Sequence, residues 1–177
     1  PYSLVGSEMC IRDRSYADIE AGGVEVTLEK NDEAQNTVSA GDDTLISIAN
    51  LIGSDQNDFL TGNADSNLLF GGAGDDSLDG GAGDDTLLGG EGKDNLTGGF
   101  GDDVLDGGAG NDDLTGDGGD DILEGGADND TIDGGIGNDT VSYLGATGGV
   151  TVSLSEMGLQ DTGGGGSDTL HAVENLT

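Results

Sequence analysis

A period of nine residues runs through the middle of the chain without a gap, and it constrains the possible folds more than any other feature. Ten nine-residue units occupy residues 53–142, and the first position of every unit is glycine. Position eight is aliphatic in all ten units, and position six is aspartate in nine of them and Asn67 in the other. A short fixed period of this kind indicates a stack of equivalent units, each of which packs mainly on its neighbours.

The residue types within one unit predict a turn followed by a short strand. Glycines at positions one, two and four permit the tightly turned, positive-φ backbone that residues with a Cβ resist, and such a turn lets carbonyl oxygens converge on one side. The position-six carboxylate adds a charged oxygen there. Residues seven to nine then form a strand whose position-eight side chain points inward. Because so short a strand is unstable alone, the units are expected to stack in parallel around an aliphatic column.

Stacking also aligns like carboxylates in rows, which is unfavourable in a chain this acidic. The 177 residues contain 37 Asp and Glu against 4 Lys and Arg, a formal net charge of −33. In a parallel stack the carboxylates recur about every 4.8 Å. A divalent cation held between turns by carbonyl and carboxylate oxygens would offset this repulsion, and Ca²⁺ suits flexible, carbonyl-rich sites better than Mg²⁺. The repeats lack His and Cys, which zinc and copper prefer.

The units resemble the GGxGxDxUx nonapeptide of the RTX (repeats-in-toxin, hemolysin-type) calcium-binding proteins. This motif covers 90 of the 177 residues, and the best matches begin at Gly71, Gly80, Gly89, Gly98, Gly107 and Gly134. The resemblance implies an all-β fold, namely a parallel β-roll, which is a right-handed β-solenoid with two nonapeptides per coil. Calcium would lie between turns two units apart, so ten units would form five coils with at most eight turn-to-turn sites.

The expected calcium ligands are the position-six carboxylates and the carbonyls of the turn glycines. The expected carboxylate ligands are Asp76, Asp85, Asp94, Asp103, Asp112, Asp121, Asp130 and Asp139. The expected carbonyl ligands belong to Gly72, Gly74, Gly81, Gly83, Gly90, Gly92, Gly99, Gly101, Gly108, Gly110, Gly119, Gly135 and Gly137. Asp58 and Asp168 are expected to bind more weakly. The first two units depart from the motif, so calcium there is expected to be weak or absent.

The segments on either side of the repeats are copies of each other. Residues 22–28 (GGVEVTL) match 148–154 (GGVTVSL), and residues 41–52 match 166–177, with offsets of 126 and 125 residues. Valine and leucine alternate with polar residues in 22–28 and 148–154, which predicts a half-buried strand in each. The second copy includes a further nonapeptide, residues 163–171. Because its last residue aligns with the residue before the first unit, we expect an interior piece of a longer protein with neighbouring repeat blocks.

The predicted organisation is therefore a flanking segment at 15–52, a roll at 53–142 and a second flanking segment at 143–177. Residues 1–14, PYSLVGSEMCIRDR, share none of this pattern and contain both arginines and the single cysteine. They resemble the translation of a sequencing adapter, so we interpret them as a non-native scar and exclude them from fold reasoning. Without that cysteine, no disulfide can stabilise the glycine-rich fold, which favours a metal.

The resemblance implies calcium binding by a module of a secreted or cell-surface bacterial protein that folds where calcium is abundant and is exported by type I secretion machinery. We expect a structural or secretion-assisting spacer that is not an enzyme. The acidic balance argues against nucleic acid as a partner, and no stretch approaches the ~20 apolar residues of a membrane span. Two alternatives stay open: the RTX tail of a secreted protease, lipase or epimerase whose catalytic domain is absent, and an adhesin or ice-binding repeat block.

Overall fold

A computed structural model describes residues 13–15, 23–28, 34–36, 42–44, 48–155, 158–163 and 166–177. The interpretation of residues 1–14 as a scar falls almost entirely outside these residues, as does much of the predicted first flanking segment. Within the described residues the secondary structure is β-strand and turn, with no α-helix. The same residues contain no helix of the length and apolar character required to cross a membrane.

The strands are short and follow one another closely. They are β1 Asp13–Ser15, β2 Glu25–Thr27, β3 Ala34–Asn36, β4 Asp42–Thr44, β5 Asn50–Ile52, β6 Phe59–Asn63, β7 Leu68–Ala73, β8 Ser77–Ala82, β9 Thr86–Glu91, β10 Asn95–Phe100, β11 Val104–Ala109, β12 Asp113–Gly118, β13 Ile122–Ala127, β14 Thr131–Asp133, β15 Thr140–Val141, β16 Gly158–Gly163, β17 Gly166–His171 and β18 Asn175–Leu176.

The strands alternate between two eight-stranded sheets. Sheet 1 has the order β1-β5-β7-β9-β11-β13-β15-β18, and sheet 2 has the order β16-β17-β14-β12-β10-β8-β6-β2. Within the repeats every strand pairs in parallel with the strand two units away; Leu96, for example, lies opposite Leu78 on one side and Leu114 on the other. Each coil therefore contains two nonapeptides, and the fold is the predicted all-β parallel roll of about five coils.

The core between the two sheets is a column of the position-eight side chains. All ten are buried, and Leu51 and Leu170 extend the column beyond the repeats at its two ends. Each coil contributes only one aliphatic side chain per sheet, so the core is thin. Most of the cohesion between coils comes from the backbone ladders and from the turns.

The repeat strands are longer than the three residues that the unit predicts. A typical strand, such as Leu68–Ala73, covers positions seven to nine and continues through positions one to three of the next unit. The ladder skips position one, since Thr97 pairs with Thr115 and the next pair is Gly99 with Asp117. Because the pairing between adjacent coils resumes at position two, the turn itself covers only positions four to six.

The two flanking segments stack on the ends of the roll. At one end, β2 pairs in parallel with β6 and buries Val24, Val26 and Leu28, as the alternating pattern predicts. At the other end the chain leaves the roll after Val141 and returns as β17, which pairs in parallel with β14. β16 then pairs with β17 in the antiparallel direction. The matching strand predicted within 148–154 is not formed.

Candidate calcium-binding turns

The turns form two columns, one along each edge of the roll. The first edge contains the turns of the units that begin at Gly53, Gly71, Gly89, Gly107 and Gly125, and the second edge contains those that begin at Gly62, Gly80, Gly98, Gly116 and Gly134. Because strands pair every eighteen residues, equivalent positions of successive turns on one edge face each other. The position-six side chains therefore form two columns, and each of these side chains is buried.

One oxygen of each position-six carboxylate ties its turn to the preceding turn on the same edge. The N–H of Asp58 donates to Oδ1 of Asp76 at 2.8 Å, and the N–H of Asp85 donates to Oδ1 of Asp103 at 2.7 Å. The same bond repeats along both edges, up to the N–H of Asp121 and Oδ1 of Asp139 at 2.9 Å. These charge-assisted bonds fix the direction in which each carboxylate points.

The second oxygen of these carboxylates is buried without a hydrogen-bond partner among the residues that the structure describes. This holds for Oδ2 of Asp76, Asp85, Asp94, Asp103, Asp112, Asp121, Asp130 and Asp139. An isolated buried carboxylate oxygen is strongly unfavourable, and native proteins avoid it unless a charge or a metal compensates. Eight such oxygens in two regular columns therefore indicate a place for a cationic partner at eight of the ten turns.

The turn glycines leave the space that such a partner requires. At Gly90, φ is +119°, and an added Cβ would overlap the carbonyl oxygen of Gly72 in the preceding turn. At Gly92, φ is +131°, and an added Cβ would overlap the carbonyl oxygen of Gly74. The position-one glycine also lies against Oδ2 of the position-six aspartate of the same unit, as Gly71 does against Asp76. Side chains at these positions would fill the space where backbone and carboxylate oxygens approach one another.

Two turns keep this backbone shape with an aspartate in place of a glycine. Asp117 occupies position two and Asp128 occupies position four, and their φ angles are +69° and +79°. Aspartate tolerates the left-handed region better than most residues because its short polar side chain can bond locally. The local departures from the motif therefore leave the sign of φ unchanged.

Burial raises the pKa of the position-six carboxyls. It raises the pKa of Asp76, Asp103 and Asp130 to about 7, and that of Asp85, Asp112 and Asp121 to about 6. The pKa of Asp94 and Asp139 is raised for the same reason. Removal from water is the largest cause, neighbouring carboxylates add to it, and the N–H bond to Oδ1 acts in the opposite direction. The turns thus bury carboxylates at a cost that a cation would relieve.

The donor set fits a hard cation that accepts backbone oxygens. Among the described residues no group of three or more His, Cys, Asp or Glu side chains is arranged to hold a metal ion. A site in these turns must therefore combine one or two carboxylates with carbonyl oxygens. Such all-oxygen sets of flexible geometry are typical of Ca²⁺, and they lack the nitrogen and sulfur ligands that zinc prefers.

The first turn of the first edge differs, because protein groups satisfy its carboxylate. The hydroxyl and N–H of Ser54 both donate to Oδ2 of Asp58. The N–H of Val24, from the flanking segment, donates to Oδ1 of Asp58. Ser54 occupies position two, where most units have glycine. This departure from the motif satisfies the carboxylate in the place of a cation.

The first turn of the second edge reaches the same result with an amide. Oδ1 of Asn67 accepts the N–H of Asn63 at 2.8 Å, and Nδ2 of Asn67 donates to the carbonyl of Ala49 at 2.9 Å. An amide can both accept and donate, so the side chain is satisfied without a charge. The first coil of the roll therefore contains no orphaned position-six oxygen.

At the other end of the second edge, a glutamate that lies outside the motif takes the aspartate's place. Oε2 of Glu174 accepts the N–H of Asp139 at 3.0 Å, the bond made elsewhere by the next position-six aspartate. The carbonyl of Ala172 faces Gly134, as a position-one carbonyl does in the repeats. This turn is shorter, since Glu174 follows Ala172 by two residues, whereas position six follows position one by five in the repeats. The nonapeptide pattern could not identify it, because the spacing is different.

At the same end of the first edge, Asp168 continues the aspartate column. The N–H of Asp130 donates to Oδ1 of Asp168 at 3.0 Å, across an interval of 38 residues. Burial raises the pKa of this carboxyl, while the N–H of Asp130 acts in the opposite direction. The nonapeptide at 163–171 is thus stacked on the roll although twenty additional residues separate it from the period.

The position-five residues form a second ladder that the sequence analysis did not identify. The N–H of Lys93 donates to Oδ1 of Asp75 at 3.0 Å, and the N–H of Asp120 donates to Oδ1 of Asp102 at 2.9 Å. These exposed side chains accept from the following turn, whereas the position-six side chains accept from the preceding one. The frequency of Asp and Asn at position five is the signal that could have indicated this ladder.

Comparison with known families agrees with this geometry. The family model of the RTX calcium-binding nonapeptide repeat matches four times, at residues 52–87, 79–114, 88–123 and 106–141. These matches span half of the chain, so the chain belongs to the family of RTX calcium-binding nonapeptide-repeat proteins. Its repeats are calcium-binding repeats folded as a β-roll. A search of curated proteins gives no significant match.

Proposed function

We propose that this chain is a calcium-triggered folding module of a secreted or cell-surface protein, in which it serves as a structural spacer that assists export. The observation that supports the proposal is the set of eight buried Oδ2 atoms without a partner. Calcium would bind between successive turns through these oxygens and turn carbonyls. In its absence the buried carboxylates destabilise the stack, so binding and folding become one event.

The eight orphaned Oδ2 atoms support the expected maximum of eight calcium ions. Five turns on each edge leave four gaps per edge, or eight in all, and each gap contains one orphaned Oδ2. Eight Ca²⁺ ions would contribute sixteen positive charges, about half of the formal net charge of −33. The remaining negative charge keeps the folded module soluble.

The proposed link to export follows from the calcium level on each side of a cell envelope. Extracellular modules bind Ca²⁺ at roughly 0.1–1 mM. At the much lower calcium level of a cytoplasm, the chain would stay unfolded and able to pass through a type I secretion channel. Outside the cell it would fold. The same carboxylate recurs at eight turns, which favours a structural role for this region over catalysis at a single site.

The experiment is a calcium titration of the whole chain, started in calcium-free buffer and followed by far-ultraviolet circular dichroism. We expect a cooperative change from coil to β-sheet with Ca²⁺ and little change with the same concentrations of Mg²⁺. Isothermal titration calorimetry then counts the ions. A chain that is already β-rich without calcium, or that responds equally to Mg²⁺, would contradict the proposal.

A further inference from the structure

The two flanking segments share a hairpin and the strand that follows it, in addition to their sequence pattern. In the first copy β3 and β4 form an antiparallel hairpin with Ala34 opposite Thr44. In the second copy β16 and β17 do the same, with Leu159 opposite Thr169, which is the same register shifted by 125 residues. β5 and β18 are also equivalent, since Asn50 and Asn175 are separated by 125 residues. What the first copy contacts therefore indicates what the second copy can contact.

The first copy is seated on the coil that follows it. In sheet 2, Val26 lies opposite Leu60, and the N–H of Phe59 donates to the carbonyl of Val24 at 2.7 Å. The N–H of Val24 donates to Asp58, the position-six aspartate of that coil. In sheet 1, β5 pairs in parallel with β7 of the roll, where Leu51 lies opposite Leu69.

In the second copy the equivalent surfaces are residues 148–154 and the outer edge of β18, and no coil packs on them among the described residues. Val152 aligns with Val26, which is fully buried, but is itself only half-buried. Leu154 aligns with the fully buried Leu28 and is 38% exposed. β18 pairs with β15 on one side and ends sheet 1 on the other. Residues 148–154 and the outer edge of β18 thus correspond to the surfaces on which the first copy contacts the coil that follows it.

A side chain of the β16–β17 hairpin holds residues 148–154 in place. Oε1 of Gln160, on β16, accepts the N–H of Ser153 at 2.6 Å, and Nε2 of Gln160 donates to the carbonyl of Ser153 at 3.0 Å. This side-chain amide thus satisfies one backbone N–H and one carbonyl, as a neighbouring strand would. Gln35 and Thr27 are the aligned residues in the first copy. Thr151 and Leu154, in the same segment, are exposed.

We propose that residues 148–154, together with the outer edge of β18, form the docking seat for a nonapeptide coil of the same kind as residues 53–70. The N–H of Val150 would bond the position-six aspartate of that coil, and Val152, which already packs against the aliphatic column, would become fully buried. Thr177 aligns with Ile52, which directly precedes the first unit, so a coil placed there would meet the second copy in the register that residues 53–70 have with the first copy. Successive rolls would then continue through each flanking segment as one stack.

The test appends residues 53–142 directly after Thr177 and compares this extended chain with the original in calcium. Hydrogen exchange of the 150–154 amides is measured in both. We expect these amides, apart from that of Ser153, which already bonds to Gln160, to exchange as rapidly as an exposed loop in the original chain. In the extended chain we expect them to be protected at least tenfold, to the level of Val24–Leu28. Calorimetry counts the bound ions separately, so a failure of calcium binding is distinguished from a failure of docking.

A matched pair of substitutions shows whether the contact is specific. Val152→Asp should abolish the protection in the extended chain and leave the exchange of the original chain's roll unchanged. Thr151→Asp, on the exposed neighbour, should preserve the protection. If the appended roll binds calcium and residues 150–154 exchange as fast as before, the docking seat is refuted. Protection that arises in the original chain through dimers, detected by sedimentation, would assign the seat to a second copy and also overturn the proposal.

Discussion

The first coil of the roll and the four coils that follow it differ in how the buried side chain at position six finds its partners. All of them bury a polar side chain at position six. In the first coil, Ser54 and Asn63 complete the hydrogen bonds of Asp58 and Asn67. In the later coils one carboxylate oxygen per turn has no partner among the described residues. The comparison shows that the turn geometry itself does not require a metal; the aspartate column does, because glycine at position two offers no side chain to satisfy it.

Removal of one aspartate from the later coils should have the largest effect on calcium binding. Asp103→Ala eliminates an orphaned Oδ2 and the bond from the N–H of Asp85. We expect the loss of one ion and at least tenfold weaker affinity at that gap, about 1.4 kcal/mol. Calorimetry and the calcium midpoint of folding measure both. Thr86→Ala, on a neighbouring strand, is the control, and equal effects of the two substitutions would contradict the assigned role.

Acid should partly replace calcium in the later coils. Burial raises the pKa of six position-six carboxyls from the ordinary 3.8 to about 6 or about 7 in the folded roll; these are Asp76, Asp85, Asp103, Asp112, Asp121 and Asp130. The folded state therefore binds more protons, so the calcium-free fold gains stability as the pH falls from 7 toward 4 and loses it as the pH rises. We expect β-sheet signal to increase at pH 5 in metal-free buffer. Calcium affinity should fall over the same interval, because protons compete for the same oxygens.

Glu174 tests whether the end of the second edge behaves like a later coil. Glu174→Ala removes the acceptor for the N–H of Asp139, which should cost about 1–3 kcal/mol because a buried donor is left unpaired. Glu174→Gln keeps an acceptor oxygen and should cost less. Calcium-saturated thermal or urea unfolding measures the difference. Identical stability of the two variants would show that the bond contributes nothing.

Ser54 should show the smallest effect and the one least dependent on calcium. Ser54→Ala removes a hydroxyl that donates to Asp58 but leaves the backbone N–H in place. We expect a loss of about 1 kcal/mol and no change in the number of ions bound. The exposed Ser66 provides the control substitution, Ser66→Ala. A gain of one ion in the Ser54 variant would mean that the first coil differs from the others only by this hydroxyl.

The periodic part of the molecule could be predicted closely from the sequence. The turn glycines, the aspartates and the aliphatic position each meet a local requirement of the backbone or of one face of a strand, so their spacing alone indicates a stack of turn-and-strand units. The pairing of two units into one eighteen-residue coil was expected from the family resemblance. The six-residue strands were not foreseen, because the ladder between glycine pairs forms only when two coils are stacked. The position-five ladder was missed for the same reason.

The nine-residue period by itself determined the architecture, the core column and the residues that face the gaps between turns. Only the tertiary structure decided which carboxylate oxygens are satisfied. Asp58 and Asp76 occupy the same position of their units, yet only the first has a serine beside it and a flanking strand above it. Glu174 and Asp168 join the columns across 35 and 38 residues, outside any period. Contacts of that range depend on where the chain returns to the stack, which local residue preferences do not specify.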